Sequence, residues 1–193
     1  MSKHILLKEL QSKYGFPDEE FPKLLALFKE KHYKKNEMIF KAGDVVKHTN
    51  FIFKGCTRQY YVSPEGAERI IYFAEEGSFC GELMSFLHET TTNLNLQALE
   101  ETDVIYLDLK NWEAAITTVP AFALWHIKHH ERLVVRLKEE MGRAHNETPD
   151  EKYRRLVEEK PHLLQRLPQY HLAAYIGVTP ETLSRIRKRN THI

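Results

Sequence analysis

Four side chains near the end of the chain are spaced for reading a base edge. In "PETLSRIRKR", Glu181, Ser184, Arg185 and Lys188 fall at i, i+3, i+4 and i+7, so on a helix they project from one face, away from Leu183 and Ile186. Arg can grip guanine with two hydrogen bonds, Glu can accept from the cytosine amino group, and Ser can serve either base. Each good bidentate pair contributes roughly 1 to 3 kcal/mol of discrimination. The expected base readers are Glu181, Ser184 and Arg185. Arg187, Lys188 and Arg189 suit phosphates, giving affinity and salt dependence without sequence choice, and Thr179 joins them at the helix start. From Thr179 onward four cations stand against the single acid Glu181, a net of +3, whereas the whole chain has 28 Lys and Arg against 27 Asp and Glu. The average charge says nothing about a polyanionic partner, but its distribution does.

The segment "QYHLAAYIGVTPETLSRIRK" supplies what would hold that face in place. Leu172, Ala173 and Ile176 make the inner stripe of a first helix, and small Ala173 permits a close crossing. Gly177 suits a turn with positive φ. Thr179 is an N-cap, Pro180 an N1 proline, and Leu183 with Ile186 anchors the second helix. The pattern predicts a helix-turn-helix. A cationic helix end that merely complements the helix dipole is the bland alternative. The coincidence of glycine, cap, proline, anchors and basic face in one 20-residue window favours double-stranded DNA.

Upstream, "NETPDEKYRRL" starts another helix, with Thr148 as N-cap and Pro149 at N1. Residues 121–144 contain no proline and one late glycine, which predicts a long helix. Ile127, Val134 and Met141 fall seven apart, with His130 and Leu137 between them, so one seam is placed to pair with a second copy. Phe122, Trp125 and Leu133 lie off that seam and are expected to pack back on the preceding domain. From Tyr33 to Asp108 short runs such as "MIF", "NFIF", "RQYYV", "RIIYFA" and "DVIYLDL" alternate with turn signals, and Gly43, Gly55, Gly66 and Gly77 come at near-even spacing. That predicts a compact domain of antiparallel strands. Residues 5–28 read as helical, with Phe21, Leu24, Leu25 and Phe28 on one face.

Other chemistry is weakly supported. Cys56 and Cys80 match no disulfide framework or metal-ligand spacing and read as buried thiols. His126, His129 and His130 share a helix, but two facing imidazoles do not make a metal site, and the reading is a polar face with His130 at the seam. No P-loop, nucleophile elbow or HExxH occurs, which argues against an enzyme. No run approaches the roughly 20 apolar residues of a membrane span, and the charged start "MSKHILLKELQSKYGF" does not suit a secretory signal. The expectation is a cytoplasmic protein with no membrane partner.

With these parts in line, the chain resembles the Crp/Fnr family of bacterial transcription regulators over nearly its whole length. "GVTPETLSRIRK" is similar to the family's recognition helix, "E-T-x-x-R", which implies Glu181 and Arg185 as base readers with Ser184 as helper. "GSFCGELMSFL" is similar to the family's phosphate-binding cassette, which implies Gly81, Glu82 and Leu83 at a ligand pocket, with Glu82 in the place of the acid that holds a ribose hydroxyl. The resemblance implies an α+β fold: an N-terminal antiparallel β-roll of cupin or jelly-roll type with flanking helices (residues 1–119), a long dimerisation helix (120–145), and a small all-α helix-turn-helix domain (146–193). It also implies a homodimer on two-fold symmetric DNA, a small effector in the β-roll, and RNA polymerase as a further partner. Two departures matter. Where cyclic AMP binders place Arg followed by Ser or Thr, this chain has Thr92 and Asn93, and no arginine occurs between Arg69 and Arg132. That removes the charge-assisted contact to a cyclic phosphate, so cyclic AMP is not the expected effector, while Thr92 and Asn93 can hydrogen-bond a smaller or neutral one. Only "NTHI" follows Arg189, so a full β-hairpin wing is not expected. The second reading kept open is a β-roll sensor whose helical tail docks a protein instead of DNA.

Overall fold

The computed structural model describes residues 2–190. The expectation about a wing falls partly on residues 191–193, which lie outside the described residues. Two compact units emerge, one comprising the chain up to residue 61 with 72–134, the other comprising 62–71 with 135 onward.

The first unit opens with α1 (Ser2–Tyr14) and a one-turn α2 (Phe21–Leu25). The helical reading of 5–28 is therefore corrected: Gly15 takes a positive φ and Pro17 follows at once, so the helix stops and restarts, and Phe28 lies past its end. Eight strands follow: β1 (Lys29–Tyr33), β2 (Met38–Phe40), β3 (His48–Lys54), β4 (Thr57–Val62), β5 (Glu68–Ala74), β6 (Phe79–Cys80), β7 (Asn95–Ala98) and β8 (Thr102–Asp108). They form two four-stranded sheets, ordered β1-β8-β3-β6 and β2-β7-β4-β5, with antiparallel pairing. Alternation sorts the side chains of β3. Ile52 joins Tyr33, Phe40, Leu96 and Val104 between the sheets, while Phe51 joins Leu6, Leu10, Phe122 and Trp125 under the helices. Gly55 turns β3 into β4 at φ 103°, and a Cβ there would lie 2.7 Å from the Thr102 Cα, so no other residue fits. Both cysteines are buried, and neither is in a disulfide among the described residues.

A short α3 (Leu83–His88) sits between β6 and β7. After β8 come α4 (Leu109–Thr118), capped by Asp108, and α5 (Pro120–Asn146). Phe122 and Trp125 are buried in the first unit's core as expected, but Leu133 is exposed, because its turn lies beyond the β-roll cluster. Ile127, Val134, Leu137 and Met141 are all exposed, 57%, 53%, 53% and 65% respectively.

The second unit is helical apart from its 62–71 segment. It takes the last turns of α5, then α6 (Pro149–Glu159), α7 (Pro161–Arg166), α8 (Gln169–Ile176) and α9 (Pro180–Arg189). Tyr153, Leu156, Leu163, Leu172, Leu183 and Ile186 are among its buried residues. Thr148 begins α6 with a full capping box, its hydroxyl accepting from the Glu151 N–H while the Glu151 carboxylate accepts from the Thr148 N–H.

Candidate nucleic-acid interface

The helix pair α8–α9 forms where the sequence placed it. Gly177 ends α8 at φ 92°, its N–H donating to Ala173 O. Two residues later Thr179 caps α9, its hydroxyl accepting from the Thr182 N–H at 3.3 Å, with Pro180 at the first helical position. Leu172, Ala173, Ile176, Leu183 and Ile186 are all buried, so the inner faces of both helices meet. The Gln169 amide donates to Pro180 O at 3.0 Å and ties the start of α8 to the start of α9.

The outer face of α9 is left to solvent. Glu181, Arg185, Arg187, Lys188 and Arg189 are exposed and Ser184 is half-buried. Glu181 titrates below the usual carboxylate range, first because its own backbone N–H donates to it, then through the Thr179 hydroxyl and the charge of Arg185. It is therefore an ionised acceptor at neutral pH. Arg189 is held by Asp150 at 2.9 Å. The Thr179 hydroxyl is engaged on both sides, accepting from the Thr182 N–H in the helix cap and donating to the Glu181 carboxylate.

The cassette residues have other engagements. Glu82 caps α3, its carboxylate accepting from the N–H groups of Met84 at 3.1 Å and Ser85 at 2.7 Å. Gly81 O accepts from the Gln59 amide at 3.2 Å. Leu83 is exposed. Thr92 is buried, its hydroxyl accepting from the Leu94 N–H at 3.1 Å and its backbone paired with Gly43 and Asp44, while Asn93 is exposed. Ser85 links the two stretches, accepting from the Val46 N–H at 2.8 Å and donating to Thr90 O at 2.6 Å. The one arginine of β4, Arg58, is buried and donates from Nε to Gln97 at 2.8 Å.

On α5, the His126 and His130 rings lie tilted against each other with centroids 4.0 Å apart, and the His129 ring nitrogen meets the Tyr14 hydroxyl at 3.2 Å. Among the described residues no group of three or more His, Cys, Asp or Glu is arranged to hold a metal. No described helix is long and apolar enough to cross a membrane. Sequence reasoning passed over Arg155 and Glu147, which belong to an ion-pair network in the second unit; only their charge was visible beforehand.

The described residues therefore comprise a β-roll, a long helix and a helix-turn-helix in that order along the chain. Residues 30–118 match the family model of the cyclic nucleotide-binding domain. The whole chain is similar to the catabolite activator protein of Thermus thermophilus, at 23% identity over 95% of this chain and 87% of that one, with a TM-score of 0.62. It is similar to a mutant of CooA from Carboxydothermus hydrogenoformans at 19% identity, over 97% and 84% of the two chains, with a TM-score of 0.69. It is also similar to the c-di-GMP-responsive global regulator CLP of Xanthomonas campestris at 15% identity, over 91% and 92%, with a TM-score of 0.67. No curated protein matches the chain significantly. Residues 30–118 are thus similar to the cyclic nucleotide-binding domain, and the chain has the fold of these three proteins.

Proposed function

We propose that this protein is a homodimeric, sequence-specific DNA-binding transcription regulator, with no catalytic activity of its own. The observation that carries the reading is the outer face of α9, where Glu181, Arg185 and Lys188 are exposed beside half-buried Ser184 while Leu183 and Ile186 are locked inside. In this reading Glu181, Ser184 and Arg185 read base edges, and Thr179, Arg187, Lys188 and Arg189 meet phosphates. The apolar stripe Ile127, Val134, Leu137 and Met141 is the dimer seam, since a solvated helix has no reason to expose four large side chains in heptad register. Two recognition helices then enter successive major grooves about 34 Å apart on a two-fold symmetric site.

The β-roll senses a small effector that is not cyclic AMP held in the usual way. Thr92 and Asn93 stand where the resemblance calls for a phosphate-binding arginine and its neighbour, and the Glu82 carboxylate is already satisfied by the cap of α3. Enrichment of bound sequences from a random duplex pool, with no effector added, tests the reading. A palindrome with half-sites one helical turn apart is expected. Unpatterned binding that vanishes with salt, both alone and with extracts of small metabolites added, would refute it.

A further inference from the structure

The second unit contains a charge network at the joint of α5 and α6. Arg155, on α6, is at its centre. Its Nε and Nη2 donate to the two carboxylate oxygens of Glu147 at 2.9 Å each, a bidentate pair. Its Nη1 and Nη2 reach the two oxygens of Glu140 at 3.3 and 3.4 Å, and Nη1 lies 3.6 Å from Glu159. Arg143 shares the same two partners, Glu140 at 3.2 Å and Glu159 at 3.8 Å. The side chains of Arg155 and Glu147 are only 16% and 15% exposed, so their attraction is less screened than that of a surface pair. The hydrogen bonds from Arg155 hold the Glu147 carboxyl below the usual range, and the same pairing raises the Arg155 guanidinium.

The placement of these groups gives the network its meaning. Glu140 and Arg143 belong to the end of α5, Glu147 to the two-residue connector 147–148, and Arg155 and Glu159 to α6. One guanidinium thus bridges both sides of the joint and the joint itself. From α6 the coupling continues, because the Lys152 ammonium donates to Tyr175 O in the last turn of α8 at 2.6 Å, and α8 is tied to α9 through Gln169. The connector's backbone is held locally, by the Glu147 N–H donating to Arg143 O at 2.7 Å and by the Thr148 capping box, and the Arg155 bridge adds the side-chain ties that run from α6 back to α5.

We infer that Arg155 is a spacing-determining residue: by fixing the angle at which α5 hands over to α6, it sets the separation of the two DNA half-sites that a dimer accepts, without contacting a base itself. The inference rests on the dimeric DNA-binding reading above. Adding one base pair between half-sites displaces a groove by about 3.4 Å and rotates it by roughly 35°. A stiff joint rejects that displacement and a loose one accommodates it.

The test uses the full chain and a set of palindromes whose half-sites are constant and whose spacer varies by one base pair either way, with affinities read at one salt concentration. The parent is expected to favour one spacer by about tenfold or more. Arg155→Met, and independently Glu147→Gln, are expected to bring that ratio below about threefold while the order of preference among half-site sequences stays the same. Arg155→Lys is expected to restore it only in part, because an ammonium cannot make the bidentate pair. Partial unfolding cannot imitate this result, since a smaller folded fraction weakens every spacer equally and leaves the ratio untouched. Variants that fold and keep the parent's spacer ratio overturn the inference. A parent that shows no spacer preference at all overturns the dimeric reading, and the inference falls with it.

Discussion

The seam on α5 can be weakened with one charge, and the effect can be sized. Ile127, Val134, Leu137 and Met141 each keep more than half of their surface in water in the single chain. Full burial of such a side chain is worth about 1.5 to 3 kcal/mol, so covering the remaining half returns about 1 kcal/mol each, or about 8 kcal/mol over the eight side chains of a dimer. Leu124 and Val135, exposed on the flanks, add to this. Association itself costs roughly 4 to 15 kcal/mol, so the dimer has little in reserve. Leu137→Lys removes two of the eight side chains, about 2 kcal/mol, and sets two ammonium groups facing each other at a d position, which adds up to about 2 kcal/mol more. The dimer Kd is then expected to rise by about 30- to 1,000-fold. Sedimentation velocity across a micromolar concentration series reads this directly. A parent that is monomeric at micromolar concentration, or a Leu137→Lys variant with the parent's mass at every concentration, would refute the reasoning.

Other consequences follow from single side chains. Arg185→Ala is expected to weaken a palindrome by 1 to 3 kcal/mol per half-site, between about 30-fold and about 20,000-fold for the pair, and to relax preference at one base position of each half-site; Lys188→Ala should weaken all sequences alike and reduce the salt slope by about two for the dimer, both read by anisotropy titrations. Burial against Trp112 and Phe122, reinforced by the neighbouring His130 and His129, pushes His126 down to about 4. The unfolded chain therefore binds more protons between about pH 6.5 and pH 4, stability falls as pH is lowered through that window, and His126→Phe should flatten the fall in urea midpoints measured from pH 7 to pH 4. Thr57 and Ser85 are both fully buried, but among the described residues the Thr57 hydroxyl has only the weak thiol partner of Cys80 whereas Ser85 makes two short bonds. Thr57→Val should be neutral or stabilising by about 1 kcal/mol and Ser85→Ala should cost about 2 kcal/mol in urea unfolding. Equal losses in the two would contradict the hydrogen-bond assignment.

The helix-turn-helix was legible because every determinant is local. Gly177, Thr179, Pro180, Leu183 and Ile186 act within a dozen residues, and each residue type has one structural use there. The same holds for Thr148 and Pro149 at the start of α6. The β domain was legible as a class but not strand by strand. β1 reads "KEKHY", an edge strand whose first four residues are exposed and carry no apolar alternation. β6 is two residues long, too short for any period. The break between α1 and α2 was hidden by apolar spacing that runs on through Gly15 and Pro17, although those two residues do signal it. Glu82 shows the limit of motif reading, since an acid after Gly81 fits both a ligand contact and the cap of α3, and in the fold its oxygens accept from two backbone N–H groups. Arg155 was invisible for another reason. Its three carboxylate partners lie 4, 8 and 15 positions away, and only the joint between α5 and α6 brings them together.

The central claim is that two copies of α9 read one symmetric site together. Its most direct test is a competition at moderate salt between the selected palindrome, the same duplex with one half-site scrambled, and a fully scrambled duplex, for the parent protein. The account predicts that the palindrome is held at least about 100-fold more tightly than the single half-site, with the fully scrambled duplex weaker still. Equal binding of all three, or of the palindrome and the single half-site, would contradict it.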